Sequence, residues 1–224
     1  MGKIVVINHL SLDGVMQSPA RPDEDERENF KYGGWANIYS DTIIGQSLGE
    51  RMGRKGGGLL LGRRTYEDFH SFWTKQKSNP YTDQLNRGQK YVVSKTLKEP
   101  LPWMNTTLLK GNIVEAVGKL KNEIEGDLVV MGSGKLIPLL MEHQLVDEFL
   151  ITINPILLGS GQRMFPEQGI FTPLQLVDWK MSSTGVFIAT YRPTELQGES
   201  PFKVNYEKSL TKAQNDYFSE KPLP

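Results

Sequence analysis

One pattern constrains this chain more than any other, and it is written twice: a short apolar run, a glycine turn, then an amphipathic segment. Leu59-Leu60-Leu61 enters Gly62-Arg63-Arg64-Thr65 and continues as Tyr66-Glu67-Asp68-Phe69. Leu128-Val129-Val130-Met131 enters Gly132-Ser133-Gly134 and continues from Lys135 to Glu142. Apolar runs this short read as buried strands rather than helices. Thr65 has the chemistry of an N-cap, which puts Glu67 and Asp68 in a first turn, where acids suit the helix dipole. Strand, glycine, helix start also aims free backbone N–H groups at an anion, and two neighbouring arginines add a charged, bidentate grip. Taken alone, the first copy reads at least as well as an ordinary turn with solvated arginines.

The rest of the chain supplies the frame. Ile4 to Asn8 is β-branched and apolar on both faces, as a central strand is. Ser11-Leu12-Asp13-Gly14 then reads as a turn, with Gly14 free to take positive φ. Gln17 to Asn29 is a polar surface loop with prolines at 19 and 22 and acids from Asp23 to Glu28, long enough to act as a lid. After Gly33-Gly34-Trp35, Asp41 is the N-cap or first turn of a helix to about Arg54, with Ile43, Ile44, Leu48 and Met52 at helical spacing. The helix from Thr65 ends near Thr74, and Lys75 to Pro80 is loop. Lys90 to Ser94 is a strand with Ser94-Lys95-Thr96 at its end. Thr106 to Leu109 is a short strand, and Ile113 to Ile124 a helix. Asp147 to Ile153 is a strand that Pro155 to Leu158 continue until Gly159-Ser160-Gly161. Leu174 to Lys180 and Gly185 to Tyr191 form a closing antiparallel pair. Strands alternate with helices as far as Met141, and strands dominate after it. That describes an α/β fold with a mostly parallel sheet, helices on its faces and an antiparallel edge.

Composition removes several classes. The 224 residues suit one sizeable domain or two small ones. The 26 basic and 26 acidic side chains balance to zero, whereas a nucleic-acid binder shows a basic excess. With no cysteine there is no disulfide, thiolate metal site or cysteine nucleophile. His9, His70 and His143 lack metal-ligand spacing, and the acids from Asp23 to Glu28 lack the glycine-punctuated calcium loop. No metal is therefore expected. Neither a signal peptide nor a membrane-length apolar run is present, so a cytoplasmic protein without a membrane partner is the expectation. From Thr194 the composition turns polar. Residues 1–193 are read as one domain and 194–224 as an extension, with Tyr206, Tyr217 and Phe218 as its candidate anchors.

In an open α/β sheet, ligands bind beyond the C-terminal ends of the strands. Gly62-Arg63-Arg64-Thr65, Ser94-Lys95-Thr96 and Gly132-Ser133-Gly134-Lys135 all fall there. They supply helix N-termini, hydroxyls and cations suited to a ligand with several phosphates, such as a phosphorylated dinucleotide. Neither G-x-G-x-x-G nor a phosphate-loop motif occurs at these turns, so the order differs from the usual fingerprints.

These residues carry a resemblance. The sequence resembles the dihydrofolate reductase-like superfamily, in the branch of the reductase domain of bacterial riboflavin biosynthesis. The marks are Ser11-Leu12-Asp13-Gly14, Leu61-Gly62-Arg63-Arg64-Thr65-Tyr66, Val93-Ser94-Lys95-Thr96, Val130-Met131-Gly132-Ser133-Gly134, and Leu145-Val146-Asp147-Glu148 with Pro155, Leu158-Gly159-Ser160-Gly161 and Phe165-Pro166. They run in order from roughly Lys3 to Arg192. The resemblance implies a three-layer fold and an NADPH-dependent reductase acting on a small pyrimidine- or pterin-like heterocycle. Gly62 to Thr65 would hold the pyrophosphate, and Arg63 or Arg64 with Ser94, Lys95 and Thr96 the 2′-phosphate. Gly132, Ser133, Gly134, Lys135 and Leu136 would pass the cofactor's centre, with Ser133 where the family usually has a second glycine. Asp41 and Asp13 are the candidate catalytic carboxylates, and Trp35 and Thr152 the candidate substrate contacts. Each has a plainer reading: an N-cap for Asp41, an Asx-turn for Asp13, packing for Trp35 and an ordinary strand threonine for Thr152. A carboxylate in an apolar cleft has a raised pKa and relays a proton. The alternative to the enzyme is a non-catalytic NADP-binding or regulatory domain of the same fold. An edge strand near Leu150 to Leu158 and the aromatic tail fit a homodimer.

Overall fold

The computed structural model describes residues 1–52, 56–165, 169 and 171–195. Arg54, Pro166, Tyr206, Tyr217 and Phe218 lie outside the described residues. Met1–Pro193 is one compact unit; of a second, Thr194–Pro224, only Thr194 and Glu195 are described.

Among the described residues, eight strands form one sheet: β1 (Ile4–Ser11), β2 (Gly58–Gly62), β3 (Lys90–Val93), β4 (Thr106–Leu109), β5 (Leu128–Met131), β6 (Glu148–Asn154), β7 (Leu174–Met181) and β8 (Phe187–Pro193). Their order is β4-β3-β2-β5-β1-β6-β8-β7. The first six are mutually parallel; β8 alone runs the other way, antiparallel to both β6 and β7. The described residues also form five α-helices: α1 (Thr42–Met52), α2 (Arg63–Trp73), α3 (Pro80–Arg87), α4 (Ile113–Glu123) and α5 (Leu136–Glu142).

Successive strand residues alternate between two cores, because side chains on a strand point to opposite faces. Ile4, Val6, Leu60, Leu128, Val130, Phe149 and Ile151 pack with Ile113 and Val117 of α4 and with Leu136, Ile137 and Leu140 of α5. Val5, Ile7, Leu59, Leu61, Val129 and Leu150 pack on the opposite face with Ile44 of α1, Tyr66 of α2 and Leu85 of α3. The result is a three-layer α/β/α unit. Each aliphatic side chain fully buried in these layers contributes about 1.5–3 kcal/mol relative to exposure. Among the described residues, no helix is long and apolar enough to cross a membrane.

Four local expectations change. Helix α2 begins at Arg63 on Gly62, not at Thr65, so Glu67 and Asp68 lie beyond its first turn. Helix α3 starts at the end of the loop expected from Lys75 to Pro80 and fills a stretch for which no element is expected. Asn79 accepts from the N–H groups of Tyr81 and Thr82, and Pro80 sits where a missing N–H costs nothing. Strand β6 ends at Asn154 instead of continuing through Pro155 to Leu158. It is also interior rather than an edge, because the β7–β8 hairpin folds back and pairs along its outer side.

Candidate functional site

The connection after β1 passes to β2 on the α1 face, and the connection after β5 passes to β6 on the α5 face. The chain therefore diverges between the neighbours β1 and β5, the arrangement that opens a crevice at the C-terminal edge of a sheet. Pairing of β5 with β1 stops at Ile7–Met131, so Asn8 to Ser11 extend beyond it on that side.

The two glycine turns meet at this edge. Gly132 and Ser133 have φ values of 72° and 75°, two consecutive residues in the left-handed region. A non-glycine residue there is strained, and such strain persists only where the surroundings impose it. A Cβ on Gly62 would overlap the Ser133 hydroxyl oxygen and lie 3.0 Å from Ser133 Cβ; a Cβ on Gly132 would lie 3.6 Å from the Thr65 side chain. A Cβ on Gly134 would overlap the Gln162 side chain. Gly62 thus lies directly against Ser133, so the two turns form one surface, whereas at Gly134 it is the flexible end of Gln162 that fills the space.

Among the described residues, no side chain caps α2 or α5, the two helices that begin at these turns. The helices away from them are capped, α1 by Asp41, α3 by Asn79 and α4 by Asn112. The first-turn N–H groups of α2 therefore remain available to an anion. In α5, the Leu136 and Ile137 N–H groups already donate to the Ser133 carbonyl. Arg63 pairs with Glu67 at 2.9 Å, while Arg64, Lys95, Thr96 and Lys135 are exposed. Ser94 is buried and its Oγ accepts from Thr96 N at 3.1 Å and Leu97 N at 3.0 Å, which shapes the turn carrying Lys95.

The four remaining candidates do not form one cluster. Asp13 accepts from Ser11 Oγ at 2.6 Å and from the N–H groups of Leu158 and Gly159. Those bonds, Ser11 foremost, pull its pKa down to about 2. Asp41 caps α1 and accepts from the Ser183 hydroxyl and N–H at the tip of the β7–β8 hairpin. The Ser183 hydroxyl is the main reason its pKa lies below the ordinary value. The raised pKa that a proton-relaying Asp41 needs is not what this setting produces. Trp35 is buried against Val15, Phe30 and Leu158 and donates from Nε1 to Gln17 O at 2.7 Å.

Thr152 is fully buried on β6 opposite His9 of β1, and its hydroxyl lies 2.7 Å from His9 Nδ1. Sequence reasoning passed over His9. It sits in the extension of β1 past β5 and is partly exposed. Burial lowers its pKa to about 4, so at neutral pH it carries no charge and offers one donor and one acceptor.

The long loop is fastened beside this edge. Gln17 Nε2 donates to the carbonyls of Asp25 and Arg27, and its Oε1 accepts from Gln162 N. The Arg21 guanidinium binds Asp68 and stands 4.1 Å from the centre of the Phe72 ring, both on α2. A cleft of about 450 Å³ opens between Gly134 and Pro138 on one side and Gly159 to Arg163 with Phe165 on the other.

A family model described as the RibD C-terminal domain matches residues 3–188. The chain is 34% identical over 188 residues to the uncharacterised protein YwjB of Bacillus subtilis (strain 168), covering 82% of this chain and 94% of YwjB. It is 29% identical over 138 residues to YyaP of the same organism, covering 59% of this chain and 72% of YyaP. Among solved structures, a putative riboflavin biosynthesis protein from Shewanella sp. PV-4 aligns with a TM-score of 0.62 at 23% identity, over 86% of this chain and 99% of that one. Dihydrofolate reductase from Enterococcus faecalis, complexed with NADP(H), aligns with a TM-score of 0.52 at 16% identity, over 86% of this chain and 97% of that one.

Proposed function

This chain belongs to the RibD C-terminal domain family, and from that premise we propose that it is an NADPH-dependent reductase of a small pyrimidine- or pterin-like heterocycle. The observation that carries the reading is the uncapped start of α2 lying against the left-handed Gly132-Ser133 pair, at the end of the sheet where β1 and β5 diverge. That surface has the chemistry a dinucleotide diphosphate needs: backbone N–H donors, no obstructing Cβ at Gly62, and exposed cations alongside. We assign residues 1–193 to the reductase domain and 194–224 to an extension.

Gly62, Arg63, Arg64 and Thr65 would hold the pyrophosphate through the first turn of α2. Arg64 and Lys95, with Arg63, Ser94 and Thr96, would hold a 2′-phosphate, because only a phosphate there rewards several cations. Gly132, Ser133, Gly134, Lys135 and Leu136 would flank the cofactor's centre. NADPH, when bound, supplies the hydride, and the protein supplies position and a hydrogen-bonding wall. His9 and Thr152 would orient the heterocycle from β1 and β6, as an uncharged donor–acceptor pair. Trp35 would hold the loop that borders the site. Asp41 would act from the start of α1 as an ionised group, and Asp13 would secure the adjoining turn.

One observation favours a second reading, a non-catalytic NADP-binding domain. Both candidate carboxylates are already occupied by hydrogen bonds and sit below their ordinary pKa, so neither is a ready proton donor.

Fluorescence titration with NADPH and NADH tests the cofactor assignment. The parent protein is expected to prefer NADPH, and Arg64→Ala with Lys95→Ala to lose that preference while keeping NADH affinity. Absence of binding by either nucleotide would end the reductase assignment. Turnover of pterins or aminopyrimidines, lost in His9→Phe with NADPH binding retained, separates the enzyme from the binding domain.

A further inference from the structure

We propose that Gln162 is a binding residue for the dinucleotide, donating from its carboxamide nitrogen to an acceptor oxygen of the cofactor at the Gly132-Ser133-Gly134 turn. Arg27 of the long loop is the residue that positions it. The inference rests on the reductase reading and deepens it. Gln162 lines the cleft of about 450 Å³ on the side opposite Gly134.

The backbone of Gln162 is fixed at both of its polar groups. Its N–H donates to Gln17 Oε1 at 2.8 Å, and its carbonyl accepts from Met16 N at 2.8 Å. Neither bond uses the Gln162 side chain, so a substitution at 162 leaves both in place. The side-chain oxygen accepts from Arg27 Nη2 at 3.2 Å. A guanidinium only donates, so this contact selects the carboxamide oxygen and sends the nitrogen to the other branch. That nitrogen stands at Gly134, where an added Cβ would lie 1.8 Å from Nε2. Its two protons have no acceptor among the described residues.

A donor at this place answers a difference between the two glycine turns. The first-turn N–H groups of α2 are open to a ligand, whereas the Leu136 and Ile137 N–H groups of α5 already donate to the Ser133 carbonyl. The second turn therefore takes its donor from another segment. Lys135 brings charge there on an exposed, freely rotating stem; the Gln162 carboxamide brings a donor whose direction is set before a ligand arrives. Arg27 also holds Asp25 through Nε at 2.6 Å, which ties the orientation of the amide to the fold of the long loop. Without Arg27 the carboxamide turns its oxygen to the ligand as readily as its nitrogen.

The test is fluorescence titration with NADPH of the parent, Gln162→Met, Gln162→Glu, Arg27→Met and the double variant Arg27→Met with Gln162→Met, alongside thermal melts. Gln162→Met keeps the chain length and should weaken NADPH about tenfold, the worth of a hydrogen bond to a charged acceptor. Gln162→Glu keeps an acceptor for Arg27 but puts a carboxylate where the donor was. It should weaken NADPH further, and most at low salt. Arg27→Met should weaken it about threefold, because fewer molecules hold the amide ready. It should add nothing in the Gln162→Met background, since it acts through that residue. Adenosine 2′,5′-bisphosphate, which lacks the diphosphate bridge and the nicotinamide half, should bind all five proteins alike, and the melting temperatures should stay together. Unchanged NADPH affinity in both Gln162 variants would overturn the inference and leave the reductase reading standing. So would a bisphosphate affinity that falls in step with NADPH, the mark of a general disturbance. An Arg27→Met loss that persists in the Gln162→Met background would overturn the role of Arg27. A parent that binds neither NADPH nor NADH would remove the reductase reading, and this inference with it.

Discussion

Gly62 and Ser133 compete for one small volume. Gly62→Ala should push its methyl into the Ser133 hydroxyl, costing about 1–3 kcal/mol as overpacking does and displacing the start of α2. Ser133→Gly should stabilise by about 1 kcal/mol, because it removes a side chain from the left-handed region. The double variant is expected to recover most of the loss, and thermal melts of all four proteins check that coupling. His9 gives a pH signature. An unfolded histidine protonates near 6.5, whereas folded His9 does so only at about 4. Between those values the unfolded chain binds a proton that the folded one refuses, so stability present above pH 6.5 is lost as pH falls toward 4. Denaturant melts of the parent and His9→Gln across that range should differ in slope; identical slopes would remove His9 from the account. The glycines were legible because a glycine between a strand and a helix has few explanations. The strain at Ser133 was not, since no local pattern marks a serine for the left-handed region. His9 escaped notice because its partner Thr152 lies 143 residues away, on a strand that becomes its neighbour only after every intervening crossover.

Caps divide the helices into two kinds. Asp41, Asn79 and Asn112 close α1, α3 and α4, whereas α2 and α5 start bare at the glycine turns. The other end of α3 has an unusual closure. Lys90 of β3, fully buried, donates from Nζ to the carbonyls of Leu85, Asn86 and Gly88 and stands 4.4 Å from the Trp103 ring centre. Lys90→Met would keep the apolar stem and strand three carbonyls without a donor. A loss of about 3 kcal/mol or more is expected in chemical denaturation. A loss below 1 kcal/mol, about the worth of one ordinary hydrogen bond, would mean that water replaces the ammonium. Periodicity located α4 and most strands closely, because their apolar residues repeat cleanly. It missed α3, which is polar on most of its surface, although Asn79-Pro80 announces a helix start. It also placed the start of α2 two residues late, because Thr65 looks like a cap and Gly62 holds that position with its backbone alone.

For the whole molecule, strand order decides what is site and what is surface. The run of alternating strands and helices was enough to read a mostly parallel sheet, but no local signal states which strand lies outermost. Strand β6, as apolar as an edge awaiting a partner, lies inside between β1 and β8, and the exposed edge passes to β7. The same order puts both glycine turns, His9 and the long loop at one end of the sheet. That loop is long enough to act as a lid. In this conformation it is held by the Gln17 amide, the Trp35 indole and the Arg21 guanidinium, which binds Asp68 of α2. Such anchoring shapes the thermodynamics of anything that enters beside it. A ligand meeting a wall already in place freezes few new torsions, so association should carry a small conformational-entropy penalty and a heat-capacity change no larger than its own buried apolar surface accounts for. Isothermal calorimetry at several temperatures would read this directly. Cutting the tether with Arg21→Ala should leave the contacts of the bound state intact while making the entropy of binding more unfavourable.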